Sequence, residues 1–402
     1  MAKNTSGFKR AVIIVLDGVG IGALPDAHLY GDATAASLQH CAEAVGGLHL
    51  SNMERLGLGR IEPIRGVDPK GTARAAYGKM RERSPGKDTT TGHWEIAGCI
   101  LDQPFATFPD GFPDEIVRPF CERIGTDIIA NVYASGTEII ERFGREHLKT
   151  GMPILYTSVD SVFQIAAHID VIPLERLYEI CRIARELVTP HRIGRVIARP
   201  FTGGPGSFSR TTDRRDYSME PPVDILTDLL TKQGIPVVGI GKIDDIFAFR
   251  GISEGRHTKG NTHGIDETLR SMKEFREGLI FTNLIDFDML YGHRNDIEGY
   301  AGALAEFDRR LPELLEALSD EDLLIITSDH GCDPTTPGTD HTREYVPLLA
   351  YSPLMGEGCD LGTRDTFADA GATVAECLDV SATTAGTSFL DEIPVQKATP
   401  SD

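Results

Sequence analysis

Asp322-Leu323-Leu324-Ile325-Ile326-Thr327 runs straight into Ser328-Asp329-His330-Gly331, and after a loop of Gly, Pro and Thr the chain reaches Thr339-Asp340-His341. The apolar run suits a buried parallel strand, because a strand covered on both faces needs no polar alternation. The Asp-His pair then falls at a strand's carboxyl end, where open α/β sheets place their sites. Carboxylate oxygen and imidazole nitrogen are donors that divalent ions accept, and the loop brings Asp329, His330 and His341 near one another. A strand ending in an ordinary polar turn would look the same locally. The rest of the chain has to separate the two.

The pattern recurs. Ala11-Val12-Ile13-Ile14-Val15-Leu16, continuously apolar, ends in Asp17, and Leu279-Ile280-Phe281-Thr282-Asn283-Leu284-Ile285 ends in Asp286-Phe287-Asp288, with His293 shortly after. An acidic residue following a buried strand three times is an arrangement that random placement seldom makes. Asp17, Asp288, His293, Asp329, His330 and His341 are enough for two divalent ions, and two ions together suit phosphoryl chemistry. His93, His168, His257 and His263 are left aside, since a lone His is more often satisfied by a hydrogen bond. After Asp17, Gly18, Gly20 and Ala23 satisfy a loose dinucleotide fingerprint, but Leu24-Pro25-Asp26 interrupts the helix that reading needs. A nucleotide-binding regulatory module is therefore the rival. Otherwise these glycines let the backbone pass close to a ligand at Asp17.

Gly86-Lys87-Asp88-Thr89-Thr90-Thr91-Gly92-His93-Trp94-Glu95 carries the only Trp, and a helix-like Glu95-Ile96-Ala97-Gly98 follows. Hydroxyls ahead of a helix are ordinarily caps. The same place favours a phosphate, and a nearby metal can make the Thr89 oxygen a nucleophile and, as an oxygen donor, a seventh ligand.

With 402 residues the chain is long for a single unit at roughly 100 to 200 residues per domain. Its texture divides it into a core, 1–100 and 221–402, and an inserted smaller α/β unit, 101–220. Within the insert, Leu177, Ile180, Cys181, Ala184 and Leu187 form a helical core stripe, Ile193–Ile197 reads as a strand, and Pro153–Ser158 as another that ends near Asp160. Between Arg199-Pro200-Phe201 and Pro221-Pro222, a glycine-rich loop with Arg210, Arg214 and Arg215 is placed to clamp an anion. Back in the core, Val237–Gly241 is a strand with Lys242 at its end, and Tyr300, Ala303, Leu304, Phe307, Leu311, Leu314, Leu315 and Leu318 mark a helix covering the sheet.

Forty basic against sixty acidic residues give a net charge of −20, which argues against binding nucleic acid or an anionic membrane. Seven cysteines without CxxC pairs read as reduced thiols of a cytoplasmic protein. The run after Lys9 and Arg10 is too short, with Asp17 ending it, for a signal peptide or a membrane span.

These motifs together closely resemble the bacterial phosphopentomutases of the alkaline phosphatase superfamily. The resemblance rests on Val15-Leu16-Asp17-Gly18-Val19-Gly20, Gly86-Lys87-Asp88-Thr89 with Gly92-His93-Trp94-Glu95, Tyr156-Thr157-Ser158 with Asp160-Ser161, Asp286-Phe287-Asp288 with Tyr291-Gly292-His293-Arg294, Ser328-Asp329-His330-Gly331 and Asp340-His341-Thr342-Arg343-Glu344. It implies an alkaline phosphatase-like α/β core with a central, mostly parallel sheet flanked by helices and an inserted cap. It implies two Mn²⁺, with Mg²⁺ or another divalent ion as substitute: one on Asp288, His293 and His341, the other on Asp17, Asp329, His330 and the Thr89 oxygen. It also implies that Thr89 carries the phosphoryl group. Ribose and 2-deoxyribose phosphates would be interconverted between C1 and C5, primed by glucose 1,6-bisphosphate or a similar sugar bisphosphate. Ser158, Asp160, Arg199, Arg210 and Lys242 are expected at the sugar and its distal phosphate, and a monomer is expected. The runner-up is a phosphoglycerate mutase-like enzyme or phosphomonoesterase of the same superfamily.

Overall fold

The computed structural model describes residues 7–158 and 161–395. Two compact units emerge: one takes the chain up to Gln103 and again from Pro221, and the other is the intervening Pro104–Glu220.

The larger unit is built on an eight-stranded sheet, in spatial order Glu254–Arg256, Val237–Ile240, Gly278–Leu284, Arg10–Leu16, Asp322–Thr327, Val346–Tyr351, Ala76–Met80 and Asp360–Arg364. The first five run parallel, and Val346–Tyr351 is antiparallel to both neighbours. Arg10–Leu16 is central, with Ile13 opposite Phe281 on one side and Ile325 on the other. Every residue of these three inner strands is buried. Val12, Ile14 and Leu16 share a core with the helices Ser37–Ala44, Asn261–Glu274 and Ile297–Glu316, while Ala368–Cys377 packs on the same strand. The long helix Ile297–Glu316 buries Tyr300, Leu304, Phe307, Leu311 and Leu314 as its spacing predicts. The Tyr300 hydroxyl donates to the Gly18 carbonyl at 2.8 Å and ties that helix to the loop after the central strand.

One end of the central strand differs from the sequence reading, which leaves Arg10 outside it. Arg10 is 1 % exposed and opens the strand. Its guanidinium forks onto Asp322, with Nε 2.9 Å from Oδ1, and donates to the carbonyls of Met272 and Phe275. A buried cation is tolerable only when its donors are matched in this way.

The smaller unit has its own six-stranded sheet, Ile129–Tyr133, Ile154–Thr157, Val162–His168, Arg195–Thr202 and Ser209–Arg210 in order, with Arg215–Ser218 also paired to Arg195–Thr202. Leu177, Ile180, Cys181 and Ala184 of the helix Leu174–Val188 enter its core, and Leu187 is half-buried at the edge. The strand expected over Ile193–Ile197 begins at Arg195 and continues to Thr202, so Arg199 stands in a strand; Arg210 and Arg215 likewise lie in short strands of a folded-back segment rather than in open loop. His147 ties the helix Gly136–Thr150 to this sheet. Its Nδ1 donates to the Met152 carbonyl at 2.6 Å and its Nε2 accepts the His168 amide at 2.9 Å.

All seven cysteines are free thiols. Among the described residues, no helix is long and apolar enough to cross a membrane.

Candidate metal centre

Three neighbouring parallel strands deliver the candidate ligands from their carboxyl ends: Asp17 after Arg10–Leu16, Asp288 after Gly278–Leu284, and Asp329 with His330 after Asp322–Thr327. Asp288 and His293 are carried on a π-turn, Phe287–Tyr291, and the tight turn Gly292–Arg294 that follows. Such an irregular turn, frequent at functional sites, re-aims side chains that a regular helix would spread around its axis.

Two trios result. Asp288, His293 and His341 form one, Asp17, Asp329 and His330 the other, and in each the ligand atoms lie within 4.8 Å of one another. The His330 and His341 rings, 4.0 Å apart between centroids, join them. Asp244, Asp245 and His257 are also within such reach, but the His257 side chain is 71 % exposed.

The hydrogen bonds set which atoms face inward. His330 Nδ1 donates to the Gly331 carbonyl at 3.0 Å, which leaves Nε2 facing Asp17 Oδ1 at 3.3 Å, Asp329 Oδ2 at 3.4 Å and the Thr89 hydroxyl at 3.1 Å. His293 Nδ1 donates to the Thr339 carbonyl at 2.6 Å, and its Nε2 then lies 3.3 Å from Asp288 Oδ2 and 3.1 Å from His341 Nε2. His341 Nε2 is 3.3 Å from Asp288 Oδ1. A backbone carbonyl on Nδ1 is what fixes a metal-ligating imidazole in orientation and tautomer. The carboxylates keep oxygens in reserve: Asp17 Oδ2 accepts from Asn283 Nδ2 at 2.9 Å and Asp329 Oδ1 from the Gly18 amide at 3.1 Å, while Asp17 Oδ1, Asp288 Oδ1 and Asp329 Oδ2 are buried without a hydrogen bond. Buried carboxylate oxygens left without a donor are costly unless a cation takes them. Burial, and then the charge of Asp329, raise the Asp17 pKa, and a divalent ion would remove that conflict. The donor set, carboxylate and imidazole, fits divalent ions of the Mn²⁺ or Zn²⁺ kind.

Thr89 opens the helix Thr89–Ile96, and Asp88 is its cap, accepting the Thr91 amide at 3.1 Å. The helix therefore starts within the threonines, six residues before the Glu95 start read from sequence. Thr89 thus stands in the first turn, where amides have no partner inside the helix and the dipole favours an anion.

Glu344 braces the ligand loops. It is 1 % exposed and accepts from the Gly22 and Ser37 amides at 3.1 and 2.9 Å and from the Ser37 and Thr342 hydroxyls, both at 2.6 Å. A Cβ on Gly20 or Gly331 would stand 2.3 or 2.4 Å from its carboxylate, so both positions need glycine for this contact. The glycines after Asp17 thus serve close packing, and only a single 3₁₀ turn, Ala27–Tyr30, comes between them and the α-helix at Ser37, which removes the dinucleotide reading.

Of the expected substrate residues, Ser158, Arg199 and Arg210 belong to the smaller unit. There Ser158 Oγ accepts from Gln164 Nε2 at 3.4 Å, and Gln164 Oε1 accepts from Arg199 Nε at 3.1 Å. Arg210 Nη1 and the Tyr156 hydroxyl both flank Gly136, and that hydroxyl is buried without a hydrogen bond. Asp160 lies outside the described residues. Lys242, in the larger unit, is exposed at the start of a short turn, Ile243–Ile246. Sequence reading missed Asn283, Tyr156 and Gln164 as site residues and left His93 aside. Asn283 and Gln164 are single polar residues inside otherwise apolar strands, a signal that was available.

A family model, the metalloenzyme superfamily, matches residues 9–382. A phosphopentomutase of Desulfitobacterium hafniense is 58 % identical over 386 residues, 96 % of this chain and 100 % of that one. One of Caldanaerobacter subterraneus subsp. tengcongensis is 58 % identical over 96 % of this chain and 99 % of that one. Among solved structures, a phosphoglycerate mutase of Leishmania mexicana is similar at 11 % identity and a TM-score of 0.47, covering 97 % of this chain and 98 % of that one.

Proposed function

Because the chain belongs to the metalloenzyme superfamily and, within it, to the phosphopentomutase family of isomerases, we propose that it moves a phosphoryl group between C1 and C5 of ribose and 2-deoxyribose by way of phosphorylated Thr89. The observation that carries this is the Thr89 hydroxyl, in the first turn of its helix and 3.1 Å from His330 Nε2. Asp17, Asp329 and His330 would hold one Mn²⁺ and Asp288, His293 and His341 the other. Bound there, such ions lower the pKa of a nearby hydroxyl and neutralise phosphoryl oxygens.

The residues themselves do the rest. Phosphorylated Thr89 passes its phosphoryl group to the free hydroxyl of a pentose monophosphate, which becomes a bisphosphate. The bisphosphate turns end for end, Thr89 Oγ attacks the other phosphorus, and the bond from that phosphorus to the sugar oxygen breaks. First-turn amides of Thr89–Ile96 receive the phosphoryl oxygens. Glucose 1,6-bisphosphate or a like compound supplies the first phosphoryl group. Ser158, Arg199, Arg210 and Lys242 are the proposed contacts for the sugar and its distal phosphate, and Asp160 remains a candidate with them. The free thiols suit a reducing cytoplasm, and a monomer suffices because both ligand trios come from one chain.

Incubation with Mn²⁺, the primer and ribose 1-phosphate tests the proposal. Ribose 5-phosphate is the expected product, with mass spectrometry placing phosphate on Thr89. Free phosphate alone would indicate a phosphomonoesterase, and phosphate on Thr91 would overturn the assignment of the nucleophile.

A further inference from the structure

His93 is fully buried, and no step above uses it. Its position is unusual in what it joins. Nδ1 lies 2.9 Å from the carbonyl oxygen of Thr89, one turn earlier in the same helix, and 3.1 Å from Asp329 Oδ2. Both neighbours are acceptors, so Nδ1 carries the hydrogen and donates to Thr89. Nε2 is buried and finds no hydrogen-bond partner, while the ring stacks on Phe281 with centroids 5.9 Å apart and planes 26° from parallel. A ring so enclosed has no route for passing a proton from Thr89 to solvent, which rules it out as a general base.

The backbone beside it is equally specific. A Cβ on Gly92 would stand 2.0 Å from the carbonyl oxygen of Asp329, so the helix bearing Thr89 can rest on the metal-ligand loop only because residue 92 is glycine. Gly92 sets that contact and His93 locks it, because one N–H group faces both the backbone of the nucleophile and the carboxylate of a ligand. An imidazole behind a ligating carboxylate orients it as reliably as a carboxylate orients a ligating imidazole.

We propose that His93 is a positioning residue that couples the phosphate acceptor to one metal site: through Nδ1–H it fixes the first turn of the Thr89 helix and aims Asp329 Oδ2 at the ion held with Asp17 and His330. The proposal rests on the reading of Thr89 and the two ligand trios given above. Its effect is asymmetric, because Asp288, His293 and His341 make no contact with His93 in the hydrogen bonds and ion pairs of the described residues.

Two substitutions separate positioning from space filling. His93→Phe keeps a ring against Phe281 but removes the donor, and His93→Asn keeps an N–H where Nδ1 stands. Mn²⁺ titration of the metal-stripped full chain by calorimetry should show two sites in the parent protein. In His93→Phe one site should weaken by about 10- to 100-fold and the other stay unchanged, with slower phosphorylation of Thr89 by the bisphosphate primer. His93→Asn should restore both readouts toward the parent. Equal weakening of the two variants, or two intact sites in His93→Phe, would overturn the role of His93 while leaving the metal centre standing. A parent protein that binds no Mn²⁺, or is not phosphorylated on Thr89, would instead overturn the reading beneath it.

Discussion

At the scale of single residues, the centre is a set of charges that oppose one another until a cation arrives. Asp17, Asp288 and Asp329 are 1, 6 and 0 % exposed, and each keeps a buried oxygen without a hydrogen bond. Asp329→Ala should therefore reduce turnover to background and remove one of two bound Mn²⁺, as read by metal analysis after dialysis; a variant that kept both ions would refute its place as a ligand. Thr89→Val, almost isosteric, should keep both trios and lose all phosphorylation. Arg210 sits far from this set in sequence and in a different sheet. Arg210→Ala should lower isomerisation while leaving Mn²⁺ binding and Thr89 phosphorylation by the primer largely intact. Unchanged kinetics would return that arginine to the ordinary surface.

At the scale of elements, the site depends on how closely one helix lies on one loop. Gly92→Ala would force Thr89–Ile96 away from Asp329 by a sizeable part of an ångström, and a displacement of about 1 Å at a reacting group can cost on the order of 10²-fold in rate. The expected signature is a fall in kcat with little change in melting temperature; a fully active variant would mean that the loop yields instead. In the smaller unit, burial holds the His147 imidazole below its ordinary value, with the Met152 carbonyl pulling the other way. Below about pH 6.5 the unfolded chain takes up a proton that the folded chain resists, so this stabilisation is present above that pH and lost as pH falls through it. His147→Gln should flatten that part of the stability–pH curve, and an unchanged slope would assign it to another group. These contacts show what local pattern could and could not reveal. Strands ending in Asp17, Asp288 and Asp329 were legible because a continuous apolar run needs no knowledge of its neighbours. Burial of Arg10 was not, since its partner Asp322 is 312 residues away, nor was the strand Val162–His168, whose Gln164 breaks the apolar run. The start of the helix at Thr89 was hidden because three β-branched threonines lean towards strand until Asp88 caps them.

At the scale of the whole molecule, every candidate metal ligand belongs to the larger unit, and the smaller one has a sheet and cores of its own. Calorimetry should resolve two unfolding transitions, of which Mn²⁺ raises only one; at 100 times the dissociation constant the gain is about 2.7 kcal/mol. A single transition that moves as a whole would mean the units unfold together. The interrupted chain also has a consequence for how the protein is made. The strand Arg10–Leu16 leaves the ribosome first, yet its two neighbours are Gly278–Leu284 and Asp322–Thr327. At about 5 to 20 residues per second, the 312 residues separating Arg10 from Asp322 take roughly 15 to 60 s to synthesise. Pro104–Glu220 is complete well within that wait and can fold on its own contacts. This strongly apolar strand meanwhile stays unpaired, an exposed edge of the kind that draws aggregation. The nascent protein should therefore need a holding chaperone on Arg10–Leu16 until Asp322–Thr327 has been synthesised.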